Sequence, residues 1–319
     1  EATARWVARQ QGVPVYTHEV GMRPLSAFFT AGDATAYPVD IPDDFQLSPW
    51  QDQQLDDYLS QRFKGDFSMA GIQFWPEMTP LDRSLVEKMR AFKQVVPIFT
   101  NVIFDTSQPH ANVIFQDMFA WLDKILKVIK SHPETLFVIR AHPDESRAGK
   151  ASQESVADWV KERDVSALPN VVFVSPDEYF SSYEMIQRAK FVMMYNSTIG
   201  MEASIMGASV LCAGKARFTQ LDAVFFPGSQ REYMDVLEQF LAADAVQAPA
   251  DHRLNARRFL YYQLYRTSLP FDEFLEPDGV LPGYVRLKDF SPQDLLPEHS
   301  DTFKVIVNGL LQGEDFTLP

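Results

Sequence analysis

Tyr195-Asn196-Ser197-Thr198-Ile199-Gly200-Met201-Glu202-Ala203 decides how this chain folds. Ahead of it, Ala189 to Met194 is an apolar run that predicts a buried strand. Behind it, Glu202 to Met206 predicts the first turns of a helix, and Gly207 to Gly214 a turn and the next strand. A small-residue polar turn between a strand and a helix leaves backbone N–H groups unpaired at the positive end of the helix dipole, which suits a phosphate. Ser197 and Thr198 add hydroxyl donors, and Asn196 stands where the strand ends. Gly200 lets a ligand come close to the backbone, and Glu202 is placed to accept hydrogen bonds from ribose hydroxyls. Ordinary capping of the helix by Ser and Thr is the competing reading.

Leu136 to Glu145 carries a second polar strand end. Four apolar residues run into Arg140-Ala141-His142-Pro143, as expected for a parallel strand covered on both faces. Pro143 holds His142 extended and ends the strand. Arg140 and His142 share one side by two-residue alternation. At the carboxyl end of a parallel strand that side opens into the crevice where ligands bind, and a His there can donate to a phosphate. Val95 to Thr106 predicts a third such strand, with Thr100, Asn101 and Asp105 as crevice-lining residues or as simple turn formers.

Three strand-end signatures in this order resemble the second domain of GT-B glycosyltransferases. They resemble more closely the bacterial capsule polysaccharide biosynthesis family, which includes retaining β-Kdo transferases using CMP-Kdo. The resemblance rests on His142-Pro143, on Ser197-Thr198-x-Gly200-x-Glu202-Ala203, and on Gly207-x-x-Val210 with Gly214, and it covers roughly residues 95 to 245. It implies that His142, Pro143, Ser197 and Thr198 contact the nucleotide phosphate and that the Gly200-x-Glu202 helix start holds the nucleotide sugar. Glycerophosphate polymerases using CDP-glycerol also carry His-Pro, but with an Asp-Tyr-Ser-Ser pattern where this chain has Tyr-Asn-Ser-Thr. UDP-GlcNAc 2-epimerases carry a Ser-Gly-Gly run that is absent here. Lys215 to Gln220 replaces an aromatic-rich stretch of the Kdo transferases, a departure that bears on the donor sugar and not on the fold.

A chain of 319 residues has room for two α/β domains with full cores. A net charge of −14 with no Lys/Arg block argues against a nucleic-acid partner and against docking on anionic lipid through a basic patch. No apolar run reaches the ~18 residues that span a bilayer, and no signal peptide is read at the N-terminus. The single cysteine, Cys212, reads as a buried small hydrophobe, in keeping with a reducing cytoplasm. The expected location is cytoplasmic or peripheral to the inner membrane. The histidines form no cluster with metal-ligand spacing, so no metal and no tightly bound cofactor are expected.

The expected organisation is α/β and GT-B-like, with Rossmann-type parallel sheets and a nucleotide cleft between them. Residues 1–94 read as the end of an acceptor-side α/β domain, residues 95–248 as the nucleotide-sugar-binding domain, and residues 249–319 as a cross-over helix and tail. Ala2–Gln11 reads as a helix and Gly12–Thr17 as a strand, with His18 and Glu19 in its terminal loop. That is the last part of a domain. The chain then reads as trimmed, as a fragment, or as a family member with a reduced first domain, completed by an upstream domain or partner. Further helices are expected over Trp50–Phe63, from Thr79 with Pro80 at its first position, over 112–130, 152–163, 181–188 and 251–268, and near 301–311. The 251–268 helix carries Arg257 and Arg258 among aromatics, either to bind a ligand carboxylate or as packed, snorkelling arginines.

The leading expectation is a glycosyltransferase moving a Kdo-like sugar from a nucleotide donor, a CMP-sugar by preference, to a glycan or glycolipid acceptor. Arg140, His142, Ser197, Thr198 and the amides near Gly200 would stabilise the departing phosphate. Glu19, with His18 second, would act on the acceptor hydroxyl. The alternatives are a degenerate GT-B module that binds nucleotide or glycan, and a UDP-sugar enzyme such as an epimerase.

Overall fold

The computed structural model describes residues 2–63, 78–105, 107–146, 154–280 and 284–319. In chain order they form α1 (Ala2–Gln10), β1 (Thr17–Val20), β2 (Ser26–Thr30), α2 (Pro49–Arg62), α3 (Arg83–Ala91), β3 (Gln94–Phe99), α4 (Gln108–Ala111), α5 (Met118–Ser131) and β4 (Thr135–Arg140). There follow α6 (Val156–Glu162), β5 (Val171–Val174), α7 (Ser182–Gln187), β6 (Val192–Met194), α8 (Ile199–Ile205), β7 (Val210–Cys212), α9 (Gln230–Ala242) and α10 (Ala250–Tyr265). The remaining elements are β8 (Leu269–Pro270), β9 (Leu275–Pro277), β10 (Val285–Leu287) and α11 (Asp301–Gln312). Two compact units emerge: 2–62 with 258–319, and 63 with 78–257. Helix α10 begins in the second unit and ends in the first.

The second unit is built on one parallel sheet in the order β5-β4-β3-β6-β7. Every residue of β3, β4, β6 and β7 is buried, so apart from Gln94, Thr135 and Arg140 at strand ends their sequences are apolar with no polar alternation. Alternate residues Val96, Ile98, Phe137, Ile139, Met193, Tyr195 and Leu211 pack with Trp121, Ile125, Trp159, Tyr233 and Leu237 of the helices. Each such side chain withdrawn from water contributes about 1.5–3 kcal/mol. The chain leaves β3 toward β4 and β5, then returns to the far side of β3 as β6 and β7. That reversal places the carboxyl ends of β3 and β6 side by side, in register Phe99↔Met194, while Phe99 also pairs with Arg140.

Several helix starts differ from the sequence reading. Helix α3 starts at Arg83, where Asp82 caps it by accepting from Leu85 N–H at 2.7 Å. Thr79 instead pairs with the 179–181 segment, its N–H donating to Tyr179 O at 2.8 Å. Helix α5 starts at Met118 and not at Asn112, because Asp117 supplies the cap. Asn112 is taken by the hydroxyl of Tyr195, which donates to its Oδ1 at 2.6 Å. Helix α6 starts at Val156 behind the Ser155 cap, and the anticipated start at Ser152 lies outside the described residues. Helix α8 begins at Ile199, ahead of the expected Glu202.

The first unit departs further. The strand expected over Gly12–Thr17 lies at Thr17–Val20, because Gly12, with φ 64°, turns the chain after α1. It forms an antiparallel hairpin with β2, and β2 pairs antiparallel with β8. The expected parallel α/β edge is therefore an antiparallel sheet of β1, β2 and β8, and His18 and Glu19 lie within a strand and not in its terminal loop. The Arg258 guanidinium donates to the carbonyls of Phe45 (2.7 Å), Asp43 (3.1 Å) and Pro42 (3.2 Å). It is a clamp on the 42–45 backbone.

Helix α8 lies directly against β6. A Cβ at Gly200 would fall 1.8 Å from the Sδ of Met194, itself fully buried. The glycine makes room for a neighbouring side chain, where the sequence reading had it admit a ligand. Gly200→Ala is expected to lower unfolding free energy by about 1–3 kcal/mol in urea melts, the usual cost of overpacking. In a Met194→Ala background the same Gly200→Ala change should cost less, because the side chain it collides with is gone.

Candidate functional site

The polar strand ends meet where the strand order reverses. After β6 the backbone N–H groups of Asn196, Ser197, Thr198 and Ile199 have no hydrogen-bond partner among the described residues. Thr198 is the helix cap by position, yet its side chain makes no capping bond. The Ser197 and Thr198 hydroxyls are likewise without partners among the described residues, and both residues are partly exposed. Ser155, Ser181 and Ser229, by contrast, cap their helices through their side chains. The capping reading therefore fails here, and the turn presents main-chain and hydroxyl donors to whatever enters the crevice.

Beside it, three buried carboxamides converge. Asn101 Nδ2 donates to Asn196 Oδ1 at 2.8 Å, and Gln108 Nε2 donates to the same oxygen at 3.2 Å. Thr100 donates its hydroxyl to Arg140 O at 3.0 Å, tying the ends of β3 and β4 together from a buried position. Thr100 is thus structural in its donor role. Asp105 shapes the loop after β3 by accepting from Ser107 N–H at 2.8 Å.

Arg140 is 5% exposed at the end of β4. Its Nη1 donates to Ser175 O at 2.8 Å, and its Nε has no partner among the described residues. Burial lowers the guanidinium to about 10, against the pull of Glu178, so it stays charged near neutrality. At His142, burial again dominates and lowers the pKa from the ordinary imidazole value, with Asp144 and Asp105 pulling the other way and Arg140 assisting. The Asp144 N–H donates to His142 Nδ1 at 3.2 Å. A neutral imidazole accepting at Nδ1 carries its proton on Nε2, so His142 is a neutral N–H donor. Pro143 opens the short 3-10 turn that follows.

Glu202 is buried on α8, and Tyr183 donates its hydroxyl to Glu202 Oε2 at 2.7 Å, bracing α7 against α8. Gly214 lies against the Tyr195 ring and donates to Tyr195 O at 2.8 Å, while Lys215 N–H donates to Ala111 O at 2.9 Å. These bonds pin the turn from both sides. Cys212 is buried, and burial raises its thiol pKa. Sequence reasoning missed Gln108 and Ser107. The Ser107-Gln108-Pro109 run, with a proline near the start of α4, was the available signal.

In the first unit, His18 and Glu19 are neighbours on β1 and so face opposite sides of its sheet. His18 is exposed and packs on Phe29 at 5.5 Å between ring centroids. The Glu19 carboxylate makes no ion pair or hydrogen bond among the described residues. Among the described residues no group of three His, Cys, Asp or Glu side chains is arranged to hold a metal, and no helix is long and apolar enough to cross a membrane.

The sequence pattern of the family described as "Capsule polysaccharide biosynthesis protein" matches residues 76–221, a span holding β3 to β7 and both polar strand ends. KpsC of Thermosulfurimonas dismutans, a beta Kdo 2,4 transferase, superposes over 84% of this chain and 76% of its own, with TM-score 0.51 and 12% identity. The beta Kdo 2,7 transferase of the same KpsC aligns over 88% and 78%, with TM-score 0.44 and 15% identity. Protein FixF of Sinorhizobium fredii (strain NBRC 101917 / NGR234) is 28% identical over 109 residues, which is 34% of this chain and 23% of that protein. The fold and the match together define a GT-B glycosyltransferase fold. Over residues 76–221 the chain is similar to the capsule polysaccharide biosynthesis family.

Glu145, next along from His142-Pro143, receives the Val156 N–H at 3.2 and 3.3 Å on its two oxygens, tying this turn to the start of α6. Burial raises its carboxyl to about 7, with Asp158 adding to the rise. The folded form thus holds a proton between the ordinary carboxyl value of 4.5 and about 7 that the unfolded chain has lost. This group favours the folded state at the acid end of that window, and the advantage is lost as pH rises through about 7. In urea melts, Glu145→Gln should therefore gain on wild type between pH 5.5 and pH 8.5. A difference that is constant across that range would contradict the assignment.

Proposed function

We propose that this chain is a glycosyltransferase of surface or capsular polysaccharide synthesis that takes a CMP-sugar, Kdo-like in its sugar, as donor and a glycan or glycolipid as acceptor. The observation that carries the reading is the turn after β6, where four backbone amides and two hydroxyls without a partner among the described residues sit at the crevice of a parallel sheet. Such a turn suits phosphate, and the strand-order reversal is where ligands of open α/β sheets bind.

Charge favours a single phosphate. Among the described residues at the ends of β3, β4 and β6 the cationic group is the buried Arg140 guanidinium, beside a neutral imidazole donor with Asp105 and Asp144 close to it. One negative charge, as in the phosphodiester of a CMP-sugar, matches that balance better than a diphosphate. In the reaction the bond from the anomeric carbon to the phosphate oxygen breaks, and its electron pair stays on the phosphate. The amides of 196–199, the Ser197 and Thr198 hydroxyls, His142 Nε2–H and Arg140 receive that charge. Asn101 and Asn196 line the same end, and Glu202, held by Tyr183, is assigned to the ribose hydroxyls. Glu19 is assigned to take the acceptor hydroxyl's proton as that oxygen bonds to the anomeric carbon, its carboxylate being uncommitted. No resident cofactor enters this scheme, and the enzyme is assigned to the cytoplasmic side, at or near the inner membrane.

Thermal melts with CMP, CDP, UDP and GDP test the donor. A ligand at a hundred times its dissociation constant adds about 2.7 kcal/mol to the folded state, so selective stabilisation by CMP is expected. His142→Ala should weaken CMP by roughly 10- to 100-fold, the worth of a hydrogen bond to a charged group. Glu19→Gln should leave CMP affinity unchanged and cut sugar transfer by about 10²-fold or more. Preference for UDP or GDP would overturn the donor assignment.

A further inference from the structure

The carboxamide cluster beside the turn is a device for aiming one amide group. The donor and acceptor pattern fixes each member in sequence. Val102 N–H, which can only donate, bonds Asn101 Oδ1 at 2.9 Å. Asn101 must then turn its Nδ2 outward, and that group donates to Asn196 at 2.8 Å. The Asn196 atom receiving it is therefore the oxygen, and Gln108 Nε2 donates to the same atom at 3.2 Å. With Oδ1 held by two amide donors, the Asn196 Nδ2 lies on the opposite side of the group. Among the described residues its one hydrogen-bond partner is Ser107 Oγ at 3.5 Å, at the outer limit of a hydrogen bond.

All three carboxamides are more than nine-tenths buried, at 7%, 7% and 8% exposed for Asn101, Gln108 and Asn196. They come from three separate segments: the end of β3, helix α4 and the end of β6. None carries charge, so the network costs little to bury when each donor meets an acceptor. Asn196 is also the first of the four residues whose backbone amides have no partner among the described residues.

Building on the proposed donor site, we infer that Asn101 and Gln108 are positioning residues that hold the Asn196 side-chain N–H₂ in place as a further donor for the phosphate of the nucleotide. Neither needs to touch the ligand. Their effect passes through the oxygen of Asn196, which they keep turned away from an incoming anion. An Asn196 amide free to flip would present that oxygen to the phosphate about as readily as its nitrogen.

A double-mutant cycle read by calorimetry separates this role from general support of the fold. The neutral variants Gln108→Met and Asn101→Leu each remove a donor to Asn196 without adding charge. Each is expected to weaken CMP about 3- to 10-fold while leaving cytidine, which lacks the phosphate, within about twofold. In an Asn196→Ala background the same changes should cost CMP less than about twofold, because the group they aim is gone. If Asn101→Leu fails to fold, Gln108→Met, close in volume, carries the cycle alone. Equal losses with and without Asn196, or equal losses for CMP and cytidine, would overturn the inference while leaving the donor site intact. A wild-type chain that binds CMP and cytidine no better than the other nucleotides would instead remove the donor reading, and this inference with it.

Discussion

The reversal of strand order at β3 is the constraint on which the rest depends. Phe99 pairs with Arg140 on one side and with Met194 on the other, so a single strand end borders both polar turns. The connections leave that point in opposite directions and cannot fill it. Close packing then fixes what surrounds it. Met194 occupies the space a side chain at Gly200 would need, which seats α8 on β6 and fixes where its first turn begins. The Tyr195 ring lies under Gly214 and its hydroxyl holds Asn112, so the same strand anchors the loops after β3 and β7. The donors at 196–199 are presented by a frame that is apolar and rigid just below them.

Electrostatics at this edge follow from burial more than from ion pairing. Arg140 has a carbonyl partner at Ser175 and keeps its charge with Glu178 as the main counter-charge felt. His142 is held neutral by desolvation although two aspartates favour its protonated form. Among the described residues at the ends of β3, β4 and β6, a chain with net charge −14 therefore offers an anion the buried Arg140 and a row of neutral donors. Backbone and amide donors of this kind need no reorganisation as charge develops, which is the condition for preorganised stabilisation.

The sheet of the second unit was legible in the sequence because buried parallel strands carry apolar runs, and 136–139 and 192–194 say so directly. Their polar ends could be read for the same reason, since Arg140, His142 and Asn196 interrupt apolar context. Less legible were features set by partners distant in the chain. Nothing near Asn101 announces that its carboxamide meets Asn196, 95 residues further on, and the space at Gly200 is filled by Met194 rather than open to a ligand. The antiparallel hairpin of the first unit was hidden because Ser26–Thr30 is short and its pairing with Thr17–Val20 turns on a left-handed Leu25, with φ 51°, that composition does not mark. Helix starts moved wherever an aspartate cap outranked the apolar periodicity, as at Asp82 and Asp117.

The central claim is that the turn after β6 receives the nucleotide phosphate through its main chain. Its most direct test is a titration of ¹⁵N-labelled protein with CMP, following the amide resonances of Asn196, Ser197, Thr198 and Ile199. These four should shift together, with one dissociation constant, and cytidine should move them far less. Binding of CMP that leaves all four in place while shifting residues elsewhere would contradict it.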